Sequence, residues 1–132
     1  TTIWQQKQIH AIGIVNENAF YVGWYDDVPG IHLYTRNSSD NTWTTKDNDK
    51  ITHDYQTTDI IIDNCKRIWA VVPETGKVII YDQNKNCLGE IDDGSGSLFN
   101  LMIAENYTLI MSHGSNNGLT RIKPDLNCRP LR

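Results

Sequence analysis

The chain has no cationic surface to offer. It has 132 residues, only 21% of them charged, a formal net charge of −4 and no basic block or stripe. Nucleic acid is therefore not an expected partner. No apolar run approaches the roughly 18–20 residues of a bilayer span, so no membrane partner is expected either. Thr1-Thr2-Ile3-Trp4 has neither a basic start nor an apolar stretch, and no signal peptide is legible. Either none existed, or it was removed, or the chain is a piece of something longer. Ala and Glu are scarce, and no amphipathic stretch of helical period runs beyond two turns. The three cysteines, Cys65, Cys87 and Cys128, form no C-x-x-C pair, which argues against a zinc ribbon or a thioredoxin-like site. Two readings of them stay open: three free thiols, or one disulfide with one thiol left over. The four histidines, His10, His32, His53 and His113, show no H-x-x-x-H spacing. Neither a metal nor another cofactor is expected.

What is present favours strands. Ile, Thr, Tyr and Trp are frequent, and Asn, Asp and Gly punctuate them. The stretch 66–91 reads as a strand over 67–72, a tight turn over 73–76, a strand over 77–81, a polar turn and a third short strand. The pattern recurs. Ile12-Gly13-Ile14-Val15, Ile60-Ile61-Ile62-Asp63 and Leu101-Met102-Ile103-Ala104 align. So do Phe20-Tyr21-Val22, Ile68-Trp69-Ala70 and Leu109-Ile110-Met111, and then Ile31-His32-Leu33-Tyr34, Val78-Ile79-Ile80-Tyr81 and Leu119-Thr120-Arg121-Ile122. Gly30, Gly76 and Gly118 precede the third strand of each copy and suit the positive φ of a tight hairpin. A fourth strand follows twice, over 42–45 and 87–91, while the third copy reaches Cys128 without a clear one. The first copy carries its extra residues in Tyr25-Asp26-Asp27-Val28-Pro29 and in the turn over 37–41.

Four short antiparallel strands every 40–50 residues make a β-propeller blade, and such blades bury their faces only by stacking on neighbours. The fold expected is all-β: one domain over 1–132 of three blade repeats, at about 5–50, 51–92 and 93–128. Phe20, Trp24, Trp69 and Tyr81 are expected to pack between blades. An all-β sandwich also sets turns at short intervals, but has no need to repeat their register.

Asp63-Asn64-Cys65-Lys66-Arg67-Ile68-Trp69-Ala70 resembles the D-x-x-G-x-L-W-V strand pair of the senescence-marker-protein/gluconolactonase family. Gly76-Lys77-Val78-Ile79-Ile80-Tyr81-Asp82, Lys85-Asn86-Cys87-Leu88-Gly89-Glu90-Ile91 and Leu119-Thr120-Arg121-Ile122-Lys123-Pro124-Asp125 resemble it too, and NHL-repeat propellers share much of this pattern. The resemblance covers roughly residues 57–126 well and 10–35 weakly, and Lys66 stands where the family has glycine. It implies blades of a ring that closes with about six. Three blades would leave two open apolar faces. The chain would then be a fragment, or associate with a second copy or another partner, or cover its own edges; two three-blade halves have the arithmetic of a six-bladed ring.

The resemblance also implies where a divalent metal would sit, at the channel mouth on ligands that start the innermost strands. Those columns hold His10, Thr58 and Phe99, and then Ala11, Asp59 and Asn100. The family's Asp falls on Thr58 and its Asn on His10, so the ligand set does not carry over. No catalytic residue is assigned. A divergent metal-dependent lactonase or esterase using His10, Asp59 and Asn100 is the alternative. His53-Asp54 reads as a solvated loop pair, Ser112-His113 as neighbours pointing apart, and Asp92-Asp93-Gly94-Ser95-Gly96-Ser97 as a linker without the closing Glu of a calcium loop.

The expected function is a non-enzymatic interaction module whose loop rim meets a protein, peptide or glycan. The residues expected to bind are Trp24, Tyr25, Asp26, Asp27, His53, Tyr55, His113 and Asn116, because aromatics beside acidic and amide groups suit such ligands. The sequons Asn37-Ser38-Ser39 and Asn106-Tyr107-Thr108 point towards an extracellular or secreted protein.

Overall fold

The computed structural model describes residues 9–24, 30–46, 50–52, 56–92, 98–104, 108–113 and 118–123. All regular structure among them is β: twelve strands in three antiparallel sheets. The first sheet runs β1 (Ile9–Asn16), β2 (Ala19–Trp24), β3 (Gly30–Arg36) and β4 (Trp43–Thr44), with β5 (Lys50–Thr52) also on β3. The middle sheet is β6 (Asp59–Ile62), β7 (Ile68–Val72), β8 (Lys77–Tyr81) and β9 (Cys87–Asp92). The third is β10 (Leu98–Ile103), β11 (Leu109–His113) and β12 (Leu119–Ile122).

The repeat is present in the ladders. Ile12 pairs with Val22, Ile60 with Ala70 and Leu101 with Met111, always ten residues apart. The next row reads Gly13–Tyr21–Leu33, Ile61–Trp69–Ile80 and Met102–Ile110–Arg121. Successive rows point to opposite faces of a sheet, so each sheet has two faces that can be matched across the copies.

Those faces stack in order. Ala11, Tyr21 and Ile31 of the first sheet join Ile60, Ile68, Ala70, Ile79 and Tyr81 of the middle one in a single core. The other face of the middle sheet, Trp69, Val71, Val78 and Ile80, packs on Leu98, Leu101, Leu109 and Met111 of the third. Burial on both faces explains why β7 and most of β8 are uninterrupted apolar runs, whereas the burial of β1 alternates along the strand. Tyr81 and Trp69 lie between sheets as expected. Phe20 does not: it is on the outward face of the first sheet, stacked on Tyr34 at 5.6 Å and against Trp43 at 4.8 Å. Its row partner Ile14 points the same way, and a strand residue shares the facing of its row.

β5 differs from expectation. Three residues, Lys50–Thr52, pair with His32, Ile31 and Gly30 and continue the edge begun by β4 on Arg36 and Thr35. The first sheet thus reaches Thr52, and its fourth strand is split in two.

The turns repeat as well. Asp63 N–H donates to Arg67 O and Lys66 N–H to Asp63 O; Asp82 N–H donates to Asn86 O and Lys85 N–H to Asp82 O. Ala104 N–H donates to Thr108 O with the same spacing. Lys66 (φ 63°) and Lys85 (φ 69°) occupy the left-handed region, so Lys66 adopts the conformation for which glycine is better suited. Lys66→Gly is expected to raise stability by about 0.5–1 kcal/mol, the left-handed cost less the added freedom of the unfolded chain. Urea denaturation checks this, and a loss of stability would refute it. Cys65, in the same turn, is disulfide-bonded, while Cys87 is free and exposed. Of the two cysteine readings, the structure has the disulfide with a thiol left over.

Burial also marks two phenols. It raises Tyr34 to about 12, opposed by a hydrogen bond with Thr45, and raises Tyr81 to about 12 with further repulsion from Cys87 and Glu90. A raised folded pKa adds stability that is complete below pH 10 and lost as pH rises through about 12. Spectrophotometric titration should show two phenols ionising near pH 12, and the urea midpoint should fall above pH 10. Ionisation of every tyrosine near pH 10 in the folded protein would contradict this.

Candidate functional site

The first strands of the three sheets, β1, β6 and β10, begin at one rim, and there the ladders of the first and third sheets slip at equivalent places. His10 is the extra residue between the Ile9–Trp24 and Ala11–Gly23 pairs, and Phe99 is the extra residue between Leu98–His113 and Asn100–Ser112. In the middle sheet Thr58 N–H donates to Val71 O at 3.1 Å, and Val71 is already the partner of Asp59. The doubled position thus occurs in the first and third sheets, at His10 and Phe99, while in the middle sheet Thr58 lies just before the regular β6 ladder. A bulge breaks the alternation of side chains and re-aims them.

Asp59 has a defined task. Its Oδ1 accepts the N–H of Ile60 at 2.9 Å and its Oδ2 accepts the N–H of Leu101 at 2.8 Å. Ile60 and Leu101 are equivalent residues of the first strands of adjacent sheets, so one carboxylate ties together two sheets. Asn100 is exposed, and its N–H donates to Ser112 Oγ at 3.2 Å; His10 is exposed. Among the described residues no three His, Cys, Asp or Glu side chains gather as a metal site.

Asp59→Ala is expected to cost about 1.5–3 kcal/mol, the range for hydrogen bonds to a charged group. Hydrogen exchange should localise the loss to Leu101 and the third sheet. Equal acceleration in all three sheets would show that Asp59 is not an inter-sheet tie.

Of the residues expected to bind a ligand, Trp24 and His113 end β2 and β11 at equivalent positions of this rim, opposite Ile9 and Leu98. Tyr25, Asp26, Asp27, His53, Tyr55 and Asn116 lie outside the described residues.

The opposite rim holds a feature that sequence reasoning missed. Between the first and middle sheets a cleft of about 290 Å³ is floored by Val15, Ala19, Tyr21, Leu33 and Ile62, with Asn16, Lys66 and Gln83 also lining it. Its size is near the lower end for small-molecule sites. It exists because short side chains of the first sheet face the middle one: a Cβ on Gly13 would lie 2.4 Å from Ile60 Cγ2, and one on Gly23 3.0 Å from Thr57 Cβ. The sheets meet closely at Gly13 and Gly23 and part towards Asn16. The polar groups come from the β1 end and the two turns after β6 and β8. The one cation among them, Lys66, is held in the left-handed conformation. That residue, at the position where the resembling family has glycine, was the available signal. An apolar floor beside one ammonium and two amides suits an apolar group flanked by carbonyl, carboxylate or hydroxyl oxygens.

No family model and no curated protein matches the chain. Solved structures do match. One is the crystal structure, at 1.35 Å resolution, of a protein of unknown function from Bacteroides caccae, 10% identical with a TM-score of 0.45. The match covers 93% of this chain and 63% of that one, so the chain spans less than two thirds of that protein's length.

Proposed function

We propose that this chain is a non-enzymatic interaction module built from propeller-type blades, and that it holds a protein segment, peptide or glycan at a rim. The observation that carries the reading is the cleft with its apolar floor and the Asn16, Lys66 and Gln83 groups. The blade-level resemblance to gluconolactonase-like and NHL-repeat propellers supports the architecture. The reading includes a second copy that completes the stack of sheets. It also places the protein outside the cell: Cys65 is disulfide-bonded, as is usual for secreted proteins, and the sequon residue Asn37 is exposed on a turn.

Amide chemical-shift mapping with a panel of short peptides and oligosaccharides tests this. Perturbations at Asn16, Lys66 and Gln83, or at Trp24 to Asp27 and His113 to Asn116, support it. No perturbation at either rim with any probe counts against it.

The bulges at His10 and Phe99 favour a second reading, a metal-dependent lactonase or esterase with an ion near His10, Asp59 and Asn100, because bulges often adjoin active sites. Against it, Asp59 is engaged on two backbone N–H groups. Calcium- or zinc-dependent lactone hydrolysis, lost in Asn100→Ala, would establish this reading in place of the first.

A further inference from the structure

The polar groups around the cleft are mostly donors. Asn16 Oδ1 accepts the N–H of Asn18 at 2.8 Å, so its carbonyl end is engaged and its Nδ2 donor is the end left for a ligand. Lys66 is exposed, and its ammonium forms no ion pair among the described residues. Gln83, also exposed, brings a second amide. No acidic side chain is among the described residues that line the cleft. The acids of the two turns are engaged elsewhere: Asp63 by Arg67 and Trp69, and Asp82 by Asn86.

The floor is an unfinished margin of the core. Val15, Leu33 and Ile62 are only partly buried where they pack against the cluster of Ala11, Tyr21 and Ile60. An apolar side chain laid on them extends that core and removes their remaining surface from water. The cleft, about 290 Å³, has room for one such side chain and the polar group beside it.

We infer that the cleft takes the C-terminal residue of a peptide, with an apolar side chain on the floor and the free carboxylate at Lys66 and Asn16. This occupant rests on the interaction-module reading and names the ligand class of its cleft. A C-terminal residue joins three groups that the cleft matches: an apolar side chain, a carboxylate for the ammonium and the Nδ2 donor, and a backbone N–H for the Gln83 carbonyl oxygen. A residue inside a peptide has no carboxylate and leaves Lys66 without a counter-charge. A glycan offers no charge to Lys66 either, and the floor's one aromatic residue, Tyr21, is 5% exposed and gives no face for a sugar ring. Lys66 also holds its place in the left-handed region, where glycine is better suited. Glycine there would relieve the turn and remove the charge, so one substitution separates stability from binding.

The test is fluorescence anisotropy with labelled hexapeptides ending in leucine or phenylalanine, each as the free acid and as the C-terminal amide. The acid should bind at least about tenfold more tightly, because the amide loses the hydrogen bonds of a charged group. Added salt should narrow the difference. Lys66→Gly should stay folded by circular dichroism and bind acid and amide alike. Lys85→Gly removes a lysine from a left-handed position in an equivalent turn, and Lys85 does not line the cleft; this variant should keep the preference for the acid. Isocaproate has the apolar group and the carboxylate but no backbone N–H, and should compete far less well than the leucine peptide acid.

Equal affinity for acid and amide overturns the inference, and so does a preference for the acid that survives in Lys66→Gly. Isocaproate competing as well as the peptide also overturns it, because the ligand would then be a small free acid. If neither peptide form binds, the inference fails as well. An amidated peptide or an oligosaccharide that still shifts the amides of Asn16, Lys66 or Gln83 would leave the interaction-module reading standing while this one falls.

Discussion

Asp63→Ala is expected to cost about 3–5 kcal/mol, the range for removing one partner of a buried charge pair. The carboxylate accepts four hydrogen bonds: from Cys65 N–H (2.9 Å), Arg67 N–H (3.0 Å), Arg67 Nε (2.6 Å) and Trp69 Nε1 (2.9 Å). Its side chain is 2% exposed, and that of Arg67 is 13% exposed. Arg67 Nη2 is buried without an acceptor, so the guanidinium depends on Asp63 and on the Trp69 ring beneath it at 5.5 Å. Without Asp63 the guanidinium and the indole N–H of a fully buried Trp69 lose their acceptor together. Set against the 5–15 kcal/mol typical of a domain, that loss threatens the fold. Asp63→Asn preserves shape but turns an amide N–H₂ towards donors, so it should recover less than half. Urea denaturation followed by tryptophan fluorescence measures both variants. A loss under about 1 kcal/mol for Asp63→Ala would mean that the turn is held elsewhere.

Gly13→Ala should cost about 2–3 kcal/mol, at the upper end for overpacking a core by one methyl group. The new Cβ would lie 2.4 Å from Ile60 Cγ2, 3.1 Å from Ile60 Cβ and 3.3 Å from Ile60 O. Ile60 is buried and β-branched, and its χ1 has little freedom to turn away. The first two sheets would have to separate, which would also reshape the cleft. The check is a double-mutant cycle. Ile60→Ala alone should cost about 2–5 kcal/mol, and the double variant should lose less than the sum by more than 1 kcal/mol. Additive losses would show that the two residues do not share the space.

Much of the fold was legible because strands alternate with period two. The spacing from Ile12 to Val22, from Ile60 to Ala70 and from Leu101 to Met111 appears in the sequence as aligned apolar triplets and in the structure as paired ladders. The turn at Lys66 was visible as a departure from glycine. Besides the cleft, three features were not legible. β5 is three residues long and carries too little pattern to mark a strand. Phe20 was assigned to a gap between sheets because an aromatic residue suits either face. Asp59 looked like a displaced ligand, since its partner Leu101 lies 42 residues away in sequence.

The sequence by itself determined the all-β class, the threefold repetition, the hairpin order within each copy and the places where the chain turns. These depend on local chemistry: side-chain alternation, β-branched residues, and Asp, Asn and Gly at the turns. Only the tertiary structure decided which face of each sheet meets its neighbour, because both faces of β7 are apolar and either could be the inner one. It also decided that Asp59 joins two sheets, that Gly13 lets them approach, and that a cleft opens above Tyr21. Those outcomes depend on distances between residues far apart in the chain, and they are set only when whole sheets stack and exclude water.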